Sequence, residues 1–259
     1  TEVWPINSVG FMTGRDNFII DASKGELLER LSIFFDTKLD IAEVKARLRI
    51  NDYRRFRIEE IRKARSLDLA KVRQCLYRPF DLRYTYYDQY IIQEWQQRVM
   101  HHMLHPNIAL MIGRAGQVTG TEPWDIIFSS SSIIDLNVFY RGGGQCFPLY
   151  LYPTDGEMQL EGGKRRTNLN PKFIADVEKR LGLTFTSDGK GDLGKTFGPE
   201  DVFHYAYAIF HSPTYRSHYA EFLKTDFPRL PLTSHKALFK TLAEKGAELV
   251  ALHLMGRGC

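Results

Sequence analysis

The sequence predicts a mixed α+β fold, a central sheet region flanked by a helical N-terminal segment and a helical C-terminal third. Two patterns carry this reading. Apolar residues recur at helical spacing in the first and last thirds, and short β-rich runs crowd the middle. The 259 residues are 43% hydrophobic and 25% charged, with 20 Gly and 11 Pro, which excludes disorder, collagen and coiled coil. A chain of this length buries enough core to need no disulfide or metal staple.

Asn17–Asp21, after the Thr13-Gly14 turn, reads as a strand. Leu27, Leu28, Leu31 and Phe34 form one stripe of a helix from Gly25 to Phe35, with Ser23 as its cap. Asp40 caps a second helix carrying Ile41, Val44 and Leu48, and Arg57–Arg65 is a third, mostly polar. Strands are predicted at Leu82–Tyr87, Asn107–Ile112, Asp125–Phe128, Ile133–Tyr140 and Phe147–Tyr152, with a helix at Glu94–Leu104 among them. Asp155–Asn168 is a polar connection. Pro171–Leu181, Pro199–Phe210, Pro213–Lys224 and Ser234–Leu254 read as helices, three of them opening on proline, which is favoured in a first turn. Thr184–Phe197 reads as a loop too polar to pack. The organisation expected is a basic helical segment over 1–70, a sheet-rich core over 71–160 and a helical subdomain over 161–259. There is no internal repeat.

The net charge of +4 is unevenly spread. Glu43 to Arg83 holds 13 Lys+Arg against 6 Asp+Glu, so this stretch is +7 and the remainder is −3. Such a segment suits a polyanion, or it is a solvated helical face laced by i,i+4 pairs such as Glu43 with Arg47 and Glu59 with Lys63. Cys75, Cys146 and Cys259 are odd in number and form no CxxC, which argues against a disulfide framework or structural zinc and fits a reducing cytoplasm. No apolar run is long enough to span a bilayer, Thr1-Glu2-Val3-Trp4 does not open a signal peptide, and the missing initiator Met suggests a piece of a longer protein.

Catalytic motifs are absent: there is no GxxxxGK[ST], GxSxG, HExxH or GxGxxG. Arg141–Gly144 reads as a hairpin or loop and Ser129–Ser132 as a surface turn. His101 and His105, four apart on the expected helix with His102 beside them, could share a metal, but nothing nearby supplies a third ligand of suitable spacing and Pro106 ends the helix, so hydrogen-bonded or exposed histidines are expected. Tyr84, Tyr86, Tyr87, Tyr90, Phe203, Tyr205, Tyr207 and Phe210 are expected mainly in the core.

Several blocks, in order, resemble one family. Ser8-Val-Gly-Phe-Met-Thr-Gly-Arg-Asp-Asn-Phe-Ile-Ile-Asp21 is similar to the GxxTGxxxFxID segment that follows the catalytic domain of many γ-class adenine-N6 DNA methyltransferases. Leu76–Tyr87, Arg98–Leu110, Phe147–Pro153, Asn168–Ile174, Pro199–Leu223, Phe227–Leu232 and Leu249–Leu254 resemble successive blocks of the single-polypeptide Type ISP restriction-modification enzymes. The resemblance implies their C-terminal specificity domain, which reads double-stranded DNA for a covalently linked methyltransferase and, in full-length enzymes, a nuclease-helicase motor in the prokaryotic cytoplasm. The NPP[YF] motif is missing, so S-adenosylmethionine is expected in the methyltransferase domain and no cofactor in this chain. The family also continues past the position of Leu254.

A base-extruding methyltransferase needs a second lobe gripping the duplex, with cations on phosphates and a few side chains on base edges. Candidates for the backbone are Arg54, Arg55, Arg57, Arg78, Arg83, Lys164, Arg165 and Arg166. Candidates for base readout are Arg114, Gln117, Arg141 and Gln145, in loops flanking predicted strands. Arg78 and Asp81 are alternatively expected to pair and fix a turn. The rival readings are a protein–protein coupling module docked through the helical last third, and an enzyme built on the three histidines.

Overall fold

The computed structural model describes residues 2–113, 123–139, 143–153 and 164–255. After the edge strand β1 (Ser8–Val9), Asp16–Ile19 forms a single helical turn, α1, because Phe18 N and Ile19 N both donate to Arg15 O. Of the strand expected over Asn17–Asp21, only Ile20–Asp21 (β2) remains, paired with Thr85 and Tyr84. Helix α2 (Lys24–Phe35) starts where the Ser23 hydroxyl accepts Glu26 N and buries Leu27, Leu31 and Phe34. Helix α3 (Ile41–Leu48) is capped by Asp40, which accepts Glu43 N at 2.7 Å, and it ends on Arg49 in the left-handed region. Helix α4 (Ile58–Ala64) buries Ile58, Ile61 and also Arg62, whose guanidinium donates to Leu39 O and Asp36 O and so ties α4 to the turn between α2 and α3. The Glu43–Arg47 and Glu59–Lys63 pairs form as expected, at 2.5 and 2.6 Å.

The middle of the chain supplies β3 (Val72–Arg78), β4 (Asp81–Tyr86), the short helix α5 (Gln97–Met100) running into a 3-10 turn at His101–Leu104, β5 (Ala109–Ile112), β6 (Ile127–Ser130), β7 (Ile133–Ile134), β8 (Gln145–Pro148), β9 (Tyr150–Leu151) and β10 (Arg166–Thr167). Ser129 and Ser130 are buried within β6 and do not form the expected surface turn, which is confined to Ser131-Ser132. The strand expected over Ile133–Tyr140 stops at Ile134; Tyr140 lies outside the described residues, as do Arg141 and Gly142.

Eight of the strands β1 to β10 make two four-stranded sheets, and β9 and β10 pair antiparallel by themselves. One four-stranded sheet is antiparallel in the order β1-β8-β5-β6, and β5 and β6 are buried along their whole length, which is why β5 reads as an unbroken apolar run. The other runs β2-β4-β3-β7, with β3 and β7 parallel. The Ser130 hydroxyl accepts Ser132 N and donates to Ser132 O, shaping the turn that carries the chain from one sheet into the other. Phe11 closes the join, donating to Ile134 O and accepting from Leu136 N. The approach demands glycine at position 10, where a Cβ would lie 2.5 Å from Ile134 O.

The last third holds α6 (Pro171–Leu181), β11 (Thr184–Phe185), β12 (Thr196–Phe197), α7 (Pro199–His211), α8 (Pro213–His218), α9 (Ala220–Leu223) and α10 (Lys236–His253). The helix expected over Pro213–Lys224 breaks at Tyr219. The loop expected over Thr184–Phe197 packs after all: β11 and β12 pair in parallel and Phe197 is fully buried. Its polar residues serve the backbone, Asp192 accepting the amides of Gly194, Lys195 and Thr196. Helices α7 and α10 cross closely, and one hydrophobic cluster extends from Trp4 to Leu254 through both sheets. Tyr86, Tyr87, Phe203, Tyr205, Tyr207 and Phe210 are in that core, as expected. No helix among the described residues is long and apolar enough to cross a membrane.

Candidate nucleic-acid interface

Two neighbouring clefts collect exposed cations. The first, of about 620 Å³, lies between the Gly14–Phe18 turn, the segment Leu48–Tyr53 and Gln93. A shallower extension of about 190 Å³ adds Arg54, Arg55, Tyr90 and Glu94. The walls are held firmly. Met12 and Glu94 exchange backbone hydrogen bonds at 2.8 and 2.9 Å, and Gln93 N donates to Thr13 O. Tyr53 and Phe56 do the same at 3.1 and 3.0 Å, placing Arg54 and Arg55 at the tip of a tight turn with Arg54 at φ +51°. Asp52 anchors this turn by accepting the Lys45 ammonium and Ile58 N, bonds that in that order hold its carboxyl below the usual range.

Arg15 sits at the centre of this wall. Its guanidinium stacks 3.9 Å from the Phe56 ring centroid and donates to Thr13 O and Ile91 O. Burial, with Arg55 as a second cause, pulls it down to about 10, so it stays charged at neutral pH. Arg55 donates to the carbonyls of Ile92 and Gln93. Arg54 lies over the exposed Tyr53 ring at 5.3 Å and 3.9 Å from Glu94.

The second cleft, of about 470 Å³, is lined by Gln97, Arg98, His101, Lys164 and Arg166 among others. It begins three residues beyond Glu94, so Glu94–Gln97 runs from one cleft to the other. Trp95 in this link stacks on Tyr87 with ring centroids 5.4 Å apart. The three histidines gather around Tyr152: His101 Nε2 meets Tyr152 O at 3.1 Å, His102 Nδ1 accepts Tyr152 N at 3.0 Å, and His105 stacks on the ring at 4.5 Å. Among the described residues no three His, Cys, Asp or Glu are grouped to hold a metal.

The candidate residues divide. Arg54 and Arg55 line the extension of the first cleft, Arg57 follows them without lining it, all three are exposed, and Lys164 and Arg166 are exposed on the second cleft. Arg165 turns away to Asp188 at 2.8 Å and lies over the Tyr150 ring. Arg83 is held by Asp81 at 2.9 Å. The expected Arg78–Asp81 pair does not form; although the two residues face each other in the hairpin register, Arg78 pairs with Asp135 instead. The Gln145 amide donates to Asn7 Oδ1 at 2.7 Å. Arg114, Gln117 and Arg141 lie outside the described residues. The structure adds Arg15, Arg49, Gln93 and Arg98 to the cleft walls, none singled out in the sequence.

The chain from residue 2 to residue 258 matches the family model of the Type ISP C-terminal specificity domain. Its fold is similar to part of the protein in the DrdV–DNA complex (TM-score 0.70, 23% identity, 97% of this chain and 23% of that one). It is likewise similar to part of LlaBIII, an ATP-dependent Type ISP restriction-modification enzyme bound to DNA (TM-score 0.68, 23% identity, 97% of this chain and 16% of that one). A nuclease-deletion mutant of the Type ISP enzyme LlaGI with a DNA substrate mimic matches at a TM-score of 0.61 and 20% identity, over 97% of this chain and 22% of that one. The chain therefore spans less than a quarter of the length of each of these solved proteins. No curated protein matches it. With the match running over nearly its whole length, the chain belongs to the Type ISP C-terminal specificity domain family.

Proposed function

We propose that this domain recognises a specific site in double-stranded DNA for an adenine-N6 methyltransferase linked to it, in an enzyme that also carries a nuclease-helicase motor. The observation that carries the reading is the run of exposed cations, Arg49, Arg54, Arg55, Arg98, Lys164 and Arg166, along two adjoining clefts built on a rigid wall. Phosphates favour such a surface, since each cation releases counterions as it binds. DNA in the complexes of the similar enzymes supports the same partner here. Arg78, Arg83 and Arg165, engaged with Asp135, Asp81 and Asp188, serve the fold on this reading. S-adenosylmethionine belongs to the methyltransferase domain, and the host compartment is the prokaryotic cytoplasm.

The test is the affinity for a labelled random duplex as salt is raised from about 50 to about 200 mM. Six phosphate contacts predict a loss on the order of a thousandfold. Affinity unchanged by salt contradicts the reading.

A second reading, docking to another protein, is favoured by one apolar patch. Phe80 is 53%, Leu252 70% and Met255 49% exposed, with Phe80 and Met255 beside one small pocket at the end of α10. Association through this patch would be insensitive to salt, and it can coexist with DNA binding.

A further inference from the structure

Several amide side chains elsewhere in the molecule are committed to its own fold. Asn107 bridges His102 O and Tyr150 O, Asn168 donates to Ile6 O and Pro148 O, Asn170 caps α6, and Gln145 joins Asn7. The three amides of the first cleft are different. Asn17, Asn51 and Gln93 line it, and their carboxamides hydrogen-bond to no other described residue.

Their mounting is nonetheless rigid. Gln93 is fixed through its backbone, donating to Thr13 O and accepting from Arg55, and its carboxamide lies over Gly14. Gly14 is at φ +69°, and a Cβ there would come 2.1 Å from Gln93 Oε1, so glycine leaves that space to the Gln93 amide. Asn51 sits between buried Ile50 and anchored Asp52. The neighbouring carboxylate of Asp16 is occupied by the hydroxyls of Tyr77 and Thr13. Arg49 and Tyr53 stand beside the amides.

A carboxamide offers an acceptor and a donor side by side. This matches the N6 amino group and N7 that adenine exposes in the major groove, whereas guanine shows two acceptors there and suits arginine. We propose that this cleft is a base-reading site and that Asn51 and Gln93 are its specificity-determining residues, recognising the major-groove edge of adenine while the surrounding arginines hold phosphates. The inference rests on the DNA-recognition reading above and names the residues that make it sequence-specific.

The test uses the 259-residue chain, a duplex selected by it from a random pool, and single replacements of each adenine by 7-deazaadenine. That analogue keeps Watson–Crick pairing and removes N7. The wild-type chain is expected to lose roughly tenfold in affinity at one or two adenines. Asn51→Ala or Gln93→Ala should show no such loss at the same adenine, while binding to non-specific duplex stays within about twofold because phosphate contacts are intact. Asn51 is exposed, so its variant tests readout without touching the core. If both variants respond to 7-deazaadenine as the wild type does, or the wild type responds at no adenine, the cleft does not read adenine, although DNA recognition stands. If the wild type selects no sequence at all, the DNA-recognition reading itself fails, and this inference with it.

Discussion

The Arg78 guanidinium lies 3.0 Å from the Asp135 carboxylate, which is almost wholly buried, and the pair joins the end of β3 to the residue after β7 that bridges to Phe11. Asp135 also accepts Asn137 N. Burial outweighs both partners and pushes the Asp135 carboxyl up to about 6.

Arg78→Ala should therefore cost about 3 kcal/mol near neutral pH, because it strands a buried carboxylate. The folded-state pKa lies above the unfolded one, so the native protein binds the proton first, and this group's contribution to stability grows as pH falls through about 6. The deficit of the variant, measured by urea unfolding, should shrink between about pH 7 and about pH 5, since protonation relieves the stranded charge. An equal deficit at both would show that the pair is not electrostatically coupled.

A buried histidine, His204, and a half-buried one, His211, work in the opposite sense. Burial, then Lys190, lowers His204 to about 4; burial, then Arg216 and His253, lowers His211 to about 3. Both are neutral in the fold, so between their folded values and an unfolded value of about 6.5 the unfolded chain binds the extra protons. Stability from these groups is present above that range and is lost as pH falls. Their combined effect exceeds that of Asp135, so the whole protein should weaken below about pH 6. His204→Phe should flatten this acid limb by up to about 1.4 kcal/mol per pH unit, read from unfolding curves across the range.

Gly246 marks the closest approach of α10 to α7. A Cβ there would stand 1.9 Å from His204 O, a backbone atom that cannot swing aside. Gly246→Ala gains about 1 kcal/mol in helix propensity but forces the helices apart, and a net loss of about 2 kcal/mol is expected. A variant as stable as the wild type would show that the helix crossing tolerates widening.

Much of the fold was legible because it is written in local chemistry. The Ser23 and Asp40 caps, the Leu27–Leu31–Phe34 stripe and the proline starts of α6 and α7 set helices wherever they occur. What failed was decided at a distance. Thr184–Phe197 looked solvated because its charges are visible in sequence, whereas the carboxylate of Asp192 turned inward onto its own loop is not. Strand β3 was hidden inside the basic run, since Arg73, Gln74 and Arg78 mask the burial of Val72, Cys75 and Leu76. The candidate cations are a dense group in the sequence, but composition does not tell an arginine spent on an aspartate, such as Arg83 or Arg165, from an exposed one such as Arg57. The amide cleft joins residues 14, 51 and 93, which no local pattern connects.

That division among the cations is testable. Arg57→Ala, Lys164→Ala and Arg166→Ala should each weaken duplex binding evenly across sequences and reduce the slope of log affinity against log salt by about 1. Arg83→Ala and Arg165→Ala should leave the slope unchanged. Fluorescence anisotropy over a salt series distinguishes the two groups, and equal slopes for all five would show that ion pairing within the fold does not decide which cations meet DNA.

The central claim is that this domain recognises a DNA sequence. Its most direct test is selection by the purified chain from a pool of random duplexes at two salt concentrations, with the retained molecules sequenced. Enrichment of an asymmetric motif containing adenine is expected, with retention falling as salt rises. Retention of nothing at either salt would contradict the claim and turn attention to the apolar patch around Phe80 and Met255 as a protein contact.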